Sequence, residues 1–288
     1  MVSIPNPIQK LIQKLEEERA KEHWERVKRF RAEEEQRRKE GEAHEKRQLQ
    51  YMRSAGMKLD EVEKGLEEDA RQLKSNLEQK RPSLISRPKE APLVLANLGA
   101  QFVPPVAGFF PPPDPGVVSP SDPSQIKIKD DDRGSGSGWG AVAGPPAPFV
   151  DVVFTFTPHQ SASFSFTASI AFHGFFVLQA DDGFFTSKDA HVTVTVGLDA
   201  FQFVDRGFKS FPSVIDRQGD NIKEFDGFDR IVNFGDTQDF RAGEPVVVTA
   251  RITVEAIARG SGSFAEINFF DGDANFIQPQ GLWVSPVP

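Results

Sequence analysis

A two-residue hydrophobic period in the C-terminal half restricts this chain more than any other feature. Phe164, Phe166, Ala168, Ile170 and Phe172 alternate with Ser163, Ser165, Thr167 and Ser169. Val192, Val194, Val196 and Leu198 alternate with His191, Thr193 and Thr195. Val246, Val248, Ala250, Ile252, Val254 and Ala256 alternate with Thr249, Arg251, Thr253 and Glu255. Successive side chains of a strand point to opposite faces, so these segments read as half-buried antiparallel strands. Further strands are predicted near 150–157, 175–180, 200–204, 229–234, 264–270 and 281–284, with a bulge at His173-Gly174. Eight or nine strands over residues 148–288 fit an antiparallel β-sandwich of the jelly-roll or Greek-key kind.

The turn Gly260-Ser261-Gly262-Ser263 suggests a hairpin register. With Arg259 facing Phe264, the pairs Ala258–Ala265, Ala256–Ile267 and Val254–Phe269 are all apolar and share a face. A one-residue slip would set each against a polar residue. In this register Glu255 and Glu266 are diagonal neighbours on the other face, roughly 7 Å apart.

Outside the sandwich the chain changes character. Of 26 Phe, 22 lie beyond residue 148, and of 22 Pro, 14 lie from Pro82 to Pro148. Residues 1–80 carry 19 Lys+Arg against 18 Asp+Glu, and residues 148–288 carry 9 against 18, a net of −9. This division predicts an α plus all-β chain in three parts: a charged helical arm at 1–80, a Pro/Gly-rich linker at 81–147 and the sandwich at 148–288.

In the arm, Asn6-Pro7 is a good helix start. Ile8, Leu11, Ile12 and Leu15, extended by Ala20, Trp24 and Val27, form an apolar patch suited to docking. Residues 31–48 are almost all charged or polar and have little to bury. Ala55, Leu59, Val62, Leu66, Ala70, Leu73 and Leu77 then step by 4, 3, 4, 4, 3 and 4. That eleven-residue rhythm predicts a nearly straight coiled-coil seam for self-association. Arg26, Lys28, Arg29, Arg31, Arg37, Arg38 and Lys39 cluster, but Glu16–Glu18 and Glu33–Glu35 cancel their field, so no nucleic-acid partner is expected.

In the linker, Pro111-Pro112-Pro113, Asp130–Asp132 and Gly134–Gly138 mark extended, flexible chain. Leu93–Phe110 is unusually apolar for a tether and predicts packing on a neighbouring chain or partner.

Few catalytic groupings survive inspection. The absence of Cys excludes disulfides, thiolate metal sites and a Cys nucleophile. His159, His173 and His191 lack the spacing of a zinc site. No Gly-x-Ser-x-Gly elbow and no phosphate-cradling Gly-rich loop with a Lys are present. Glu255 and Glu266 resemble in spacing the carboxylate pair of a glycosidase, though the sandwich holds no Tyr and only Trp283 to grip a sugar. Asp181, Asp182, Asp271 and Asp273 stand beside Gly in predicted loops and could supply oxygens to a structural Ca2+. No other cofactor or metal is implied.

No run approaches the ~18 apolar residues of a membrane span. Met1–Leu15 has no signal-peptide pattern. A soluble chain is expected, cytoplasmic or carried in an exported or particle-borne assembly. In general shape the plan is similar to fibre, adhesin and spike subunits, an analogy of layout alone. The expected function is a non-enzymatic structural or attachment subunit. Its arm would form homo-oligomers or dock into a larger assembly, and its head would present a binding surface. The alternatives are a carbohydrate-binding or adhesive module that meets a glycan or surface receptor, and a glycosidase.

Overall fold

The computed structural model describes residues 51–85, 100–105, 107–109, 125–134, 148–180, 188–203, 208–260 and 262–287, with single helical positions between 10 and 50. The docking patch Ile8, Leu11, Ile12, Leu15 and Trp24 lies outside the described residues. The elements with defined ends are a helix, α1 (Leu59–Ile85), and twelve strands. The strands are β1 (Gln101–Val103), β2 (Ala107–Phe109), β3 (Lys129–Arg133), β4 (Phe149–Phe156), β5 (Ala162–Ala180) and β6 (Asp189–Phe201). They continue with β7 (Lys209–Ser210), β8 (Ile215–Gly219), β9 (Ile222–Phe240), β10 (Val246–Arg259), β11 (Phe264–Asn268) and β12 (Phe276–Pro286).

The strands form two antiparallel six-stranded sheets, a β-sandwich. The front sheet runs β1-β12-β5-β11-β3, with β9 also on β5, and the back sheet runs β2-β4-β10-β6-β7, with β8 also on β6. Alternation decides the faces as expected. Phe164, Phe166, Ala168, Ile170 and Phe172 of β5 meet Val246, Val248, Ala250, Ile252 and Val254 of β10 in one buried core. Phe156, Phe164, Phe166 and Phe240 pack ring to ring at 5.7–6.2 Å. Each such side chain contributes about 1.5–3 kcal/mol on burial.

Several expectations are corrected. No bulge interrupts β5 at His173-Gly174, because β5 pairs with β9 without a break from Ala162↔Phe240 to Ala180↔Ile222. Gly174 is there for a close approach: a Cβ would lie 2.4 Å from the Phe269 ring. β10 and β11 are not a hairpin. β10 pairs with β4 and β6 in the back sheet, and β11 with β3 and β5 in the front sheet. The Gly260–Ser263 turn is a crossover between sheets, and its apolar residues face one another through the core.

The stretch expected as a linker holds three strands. β1 pairs with β12 and β2 with β4, so one short segment through Pro104-Pro105 clasps an edge of each sheet. Part of the apolar Leu93–Phe110 stretch thus packs on its own chain. The acidic run Asp130–Asp132 lies in β3, paired with β11. Residues 148–288 therefore do not contain the whole sandwich. α1 also continues through Pro82 to Ile85. At the other end Ala55 sits in a turn, not on the seam. Gly56 takes φ 77°, and Met57 N–H donates to Met52 O at 3.0 Å, which ends the preceding helix before Leu59 starts α1. Leu59 is half-buried, and the side chains of Val62, Leu66, Ala70, Leu73 and Leu77 lie outside the described residues.

Where β4 ends, β10 still has N–H groups facing outward, and the chain finds other acceptors for them. Val254 N–H donates to Pro148 O at 3.0 Å, Ala256 N–H to Asp130 Oδ2 at 2.9 Å and Ala258 N–H to Asp132 Oδ2 at 3.0 Å. Two carboxylates of β3 thereby continue the ladder and close the corner between the sheets. Burial raises the Asp130 carboxyl from an ordinary 3.8 to about 7. The Ala256 N–H works against this rise, and the charges of Asp131, Asp132 and Glu255 add to it.

The folded protein therefore holds the Asp130 proton more tightly than the unfolded chain does. The stability linked to it is fully present below pH 3.8 and is lost as pH rises through about 7. Asp130→Asn removes this titration while keeping an oxygen for Ala256. The variant is expected to flatten the fall in urea midpoint across that window and to exceed the wild type above it. Urea unfolding at stepped pH measures both.

Candidate functional site

The outward residues of β5 divide the exposed face of the front sheet into two zones. Thr167 and Val177, ten residues apart, lie about 33 Å apart along the strand.

Around Val177 the face is apolar and covered. Phe175, Val177 and Phe264 are buried beneath Leu84 and Ile85 of α1, with Phe225 beside them. Among them Glu266 is only 1% exposed. Arg81 reaches in from α1, and its Nη2 donates to Glu266 Oε1 at 2.8 Å and to Asp271 Oδ2 at 2.9 Å. Asn268 Nδ2 donates to the same two oxygens at 2.6 and 2.7 Å, and Lys129 Nζ stands 3.7 Å from Asp271. A Cβ on Gly272 would fall 2.3 Å from Ile85 O, so glycine admits the helix end. Burial pushes the Glu266 carboxyl above its ordinary range, and the Asn268 bond and Arg81 charge offset only part of this. For Asp271 burial acts the same way, but Asn268, Arg81 and Lys129 outweigh it and hold the carboxyl low. This zone is a joint that fixes the end of the arm to the head.

Around Thr167 the face is open and polar. Phe102 of β1 lies beside Trp283 of β12, Trp283 beside Thr167, and Thr167 beside Gly235 of β9. The next row on the same face is Ser285, Ser165 and Thr237. Phe102 and Trp283 have ring centroids 5.0 Å apart at 58°. Phe102 is 46% exposed and Trp283 half-buried. Gly281, at φ 154°, makes room for the Phe102 ring, which a Cβ there would meet at 2.1 Å. Two neighbouring aromatic rings thus stand at one side of a strip of small hydroxyl side chains that runs across β12, β5 and β9.

Several residues singled out from the sequence lie elsewhere. Glu255 faces Thr193 on the back sheet, while Glu266 belongs to the front-sheet joint. The two are not diagonal neighbours, and the glycosidase pair does not form. Arg251 and Arg259 of β10 are bound to Asp151 and Asp189 at 2.7 and 3.0 Å. Asp271 is held by Arg81 and Asn268, and Asp273 is exposed. Asp181 and Asp182 lie outside the described residues. Among the described residues no three His, Cys, Asp or Glu come together to hold a metal ion, so the Ca2+ grouping is not assembled there. His173 Nδ1 pairs with Asp229 at 2.8 Å, and His191 Nε2 with Asp216 at 3.0 Å. Among the described residues no helix is long and apolar enough to cross a membrane.

The sequence singled out Glu266 and Asp271 of the joint, though for other chemistry, and did not point to the Thr167 zone as a site. Phe102 fell in the stretch assigned to the linker, and Trp283 stood out only as the one Trp of the sandwich. The available signal was the apolar content of Leu93–Phe110, a sign that this segment covers something.

No known family matches the sequence, and no curated protein is similar to it. Solved structures with some likeness include carbohydrate-binding modules. TmCBM61, solved in complex with β-1,4-galactotriose, is 7% identical over 58% of this chain and 73% of its own, with a TM-score of 0.19. A family 35 carbohydrate-binding module from an environmental isolate is 13% identical over 65% and 99%, with a TM-score of 0.18. A CBM4 structure is 12% identical over 60% and 92%, with a TM-score of 0.20. Likeness at that level carries no argument about what this chain binds.

Arg81→Ala would leave Glu266 buried without its guanidinium. Because Arg81 is itself partly exposed, the expected loss is about 2–3 kcal/mol, below the range for a fully buried pair. The loss should shrink toward acid pH as Glu266 protonates, and Glu266→Gln in the Arg81→Ala chain should recover part of it. Chemical unfolding of the three variants against pH measures this.

Proposed function

We propose that this chain is a non-catalytic binding module whose head engages carbohydrate on the Trp283–Phe102 strip. The observation that carries the reading is the exposed Phe102 ring against the half-buried Trp283 ring, beside Thr167, Ser165, Ser285 and Thr237 on the outer sheet face. Aromatic faces take up the apolar C–H faces of sugar rings, and a few placed polar groups then orient the ligand. Hydroxyl side chains both donate and accept, matching the hydroxyls of a sugar. Its central rows lie on β12 and β5, which have neighbours on both sides at Trp283 and Thr167, while Phe102 and Thr237 stand on the edge strands β1 and β9.

The joint at Arg81 supports a second part of the reading. It fixes α1 to the head at the far end of the same face, about 33 Å along β5 from Thr167. An arm that self-associates through Leu59, Val62, Leu66, Ala70, Leu73 and Leu77, or docks into a larger assembly, would hold several heads together. A second contact then becomes intramolecular, which raises retention without new interactions. This is an attachment role, with the arm gathering and the head gripping.

Trp283→Ala is expected to lower affinity for a retained polysaccharide by ~2 kcal/mol or more, roughly thirtyfold. Trp283→Phe should keep part of the affinity. Affinity electrophoresis with parallel thermal melts measures this. Binding that survives Trp283→Ala in a folded chain would rule out the strip. Leu66→Asp with Leu73→Asp should disperse an oligomer in light scattering and weaken retention on an insoluble glycan, leaving the head's melting unchanged. A wild-type chain that stays monomeric with no particle to recruit it would remove the arm from the reading.

A further inference from the structure

We infer that the strip selects uncharged glycans and refuses carboxylated or sulfated ones, an inference that rests on the carbohydrate reading above. The argument is the charge around the strip. Neither β1, β5 nor β12 contains an Asp, Glu, Lys or Arg. The only charged side chains in the neighbouring stretch of β9, residues 233–239, are Asp236 and Asp239. Asp236 stands opposite the inward-facing Phe166, away from the strip's face, and binds Lys209 at 2.6 Å. Burial alone would raise the Asp236 carboxyl, but Lys209 and the Thr237 N–H outweigh it and keep it low. Asp239 accepts a hydrogen bond from the Ser163 hydroxyl and stays exposed. Arg241, just past β9, lies over the Phe203 ring at 5.2 Å on the loop end of the sandwich. Arg230 faces Phe172, five residues from Gly235 and about 17 Å along the strand.

An acidic sugar laid across Phe102, Trp283 and Thr167 would lose water from its charge and gain no cation from β1, β5, β12 or the neighbouring stretch of β9, an unfavourable exchange. It would also approach Asp239 and a head whose residues 148–288 carry a net charge of −9. The polar groups in reach point the same way. Ser165, Thr167, Thr237, Ser285 and Asn233 both donate and accept, whereas a carboxylate or sulfate only accepts. The same shortage of cations disfavours nucleic acid, whose phosphates need Lys or Arg partners. An extended peptide that adds a strand would pair at the outer edge of β1, beside Phe102 and not across Trp283 and Thr167. What remains compatible is an uncharged, hydroxyl-rich ligand with an apolar ring face.

The test uses the full chain in affinity electrophoresis, at low and high salt. The probes are hydroxyethyl cellulose, galactan and soluble starch against carboxymethyl cellulose, polygalacturonate and a sulfated galactan. At least one neutral polymer should retard the protein equally at both salt levels and lose this with Trp283→Ala. Its acidic counterpart should retard it roughly tenfold less or not at all. Asp239→Lys should raise retardation by the acidic polymers, and high salt should abolish that gain. Acidic polymers that bind as well as neutral ones through Trp283 would overturn the charge selection and leave the carbohydrate reading standing. Retardation by none of the six, or retardation indifferent to Trp283→Ala, would overturn both.

Discussion

β5 is bonded on both edges along nearly its whole length, and the front sheet takes its register from that pairing. β9 runs the full nineteen residues of one edge, while β12 and β11 share the other end to end. Because the register is continuous, each residue of β5 keeps its face from Ala162 to Ala180. A slip of one residue would turn Phe164, Phe166 and Phe172 to solvent, so the core fixes the register and the register fixes both faces. The unbroken path depends on Gly174, where a side chain would collide with Phe269.

Sheets this twisted have corners, and this sandwich closes each with a different chemistry. At one, Asp130 and Asp132 supply the acceptors that β4 is too short to provide. At another, Lys209 joins Asp236 from sheet to sheet. At a third, the Pro104-Pro105 segment carries the backbone itself from β1 to β2. The first has an electrostatic cost, since three consecutive acids and Glu255 repel one another there. β9 stands at an edge of the front sheet, and its exposed Asp226, Asp229 and Arg230 discourage pairing with another strand.

The front sheet's outer face then separates fastening from presentation. Arg81 and the last turn of α1 occupy the apolar end, and the helix that covers Glu266 also supplies its guanidinium partner. A partly buried ion pair adds little net stability compared with an apolar contact, but it penalises any other seating of the helix. The far end stays open, with Trp283 and Phe102 on a floor of Thr and Ser. Both zones are built by residues distant in sequence: Arg81 with Glu266, and Phe102 with Trp283.

Much of the sandwich was legible in the residues themselves. Period-two alternation located β5, β6 and β10 and assigned their inner faces, because pleating makes parity a local property of the chain. The same parity could not name partners. Ala256 and Ala258 suit Ala265 and Ile267 as hairpin neighbours or as residues facing across a core, and only the tertiary structure chose the second. Pro and Asp content argued for a tether in 81–147, yet β1, β2 and β3 form there because exposed edges and unpaired N–H groups elsewhere in the fold require them. Glu266 looked like a surface acid until α1 covered it, and Phe102 looked like spacer until β12 received it. The sequence by itself determined the long alternating strands β5, β6 and β10 and which side chains they turn inward, since these follow from local stereochemistry. Only the fold decided which strands meet, which acids are buried and where two aromatic rings come together, since those depend on contacts between residues far apart along the chain.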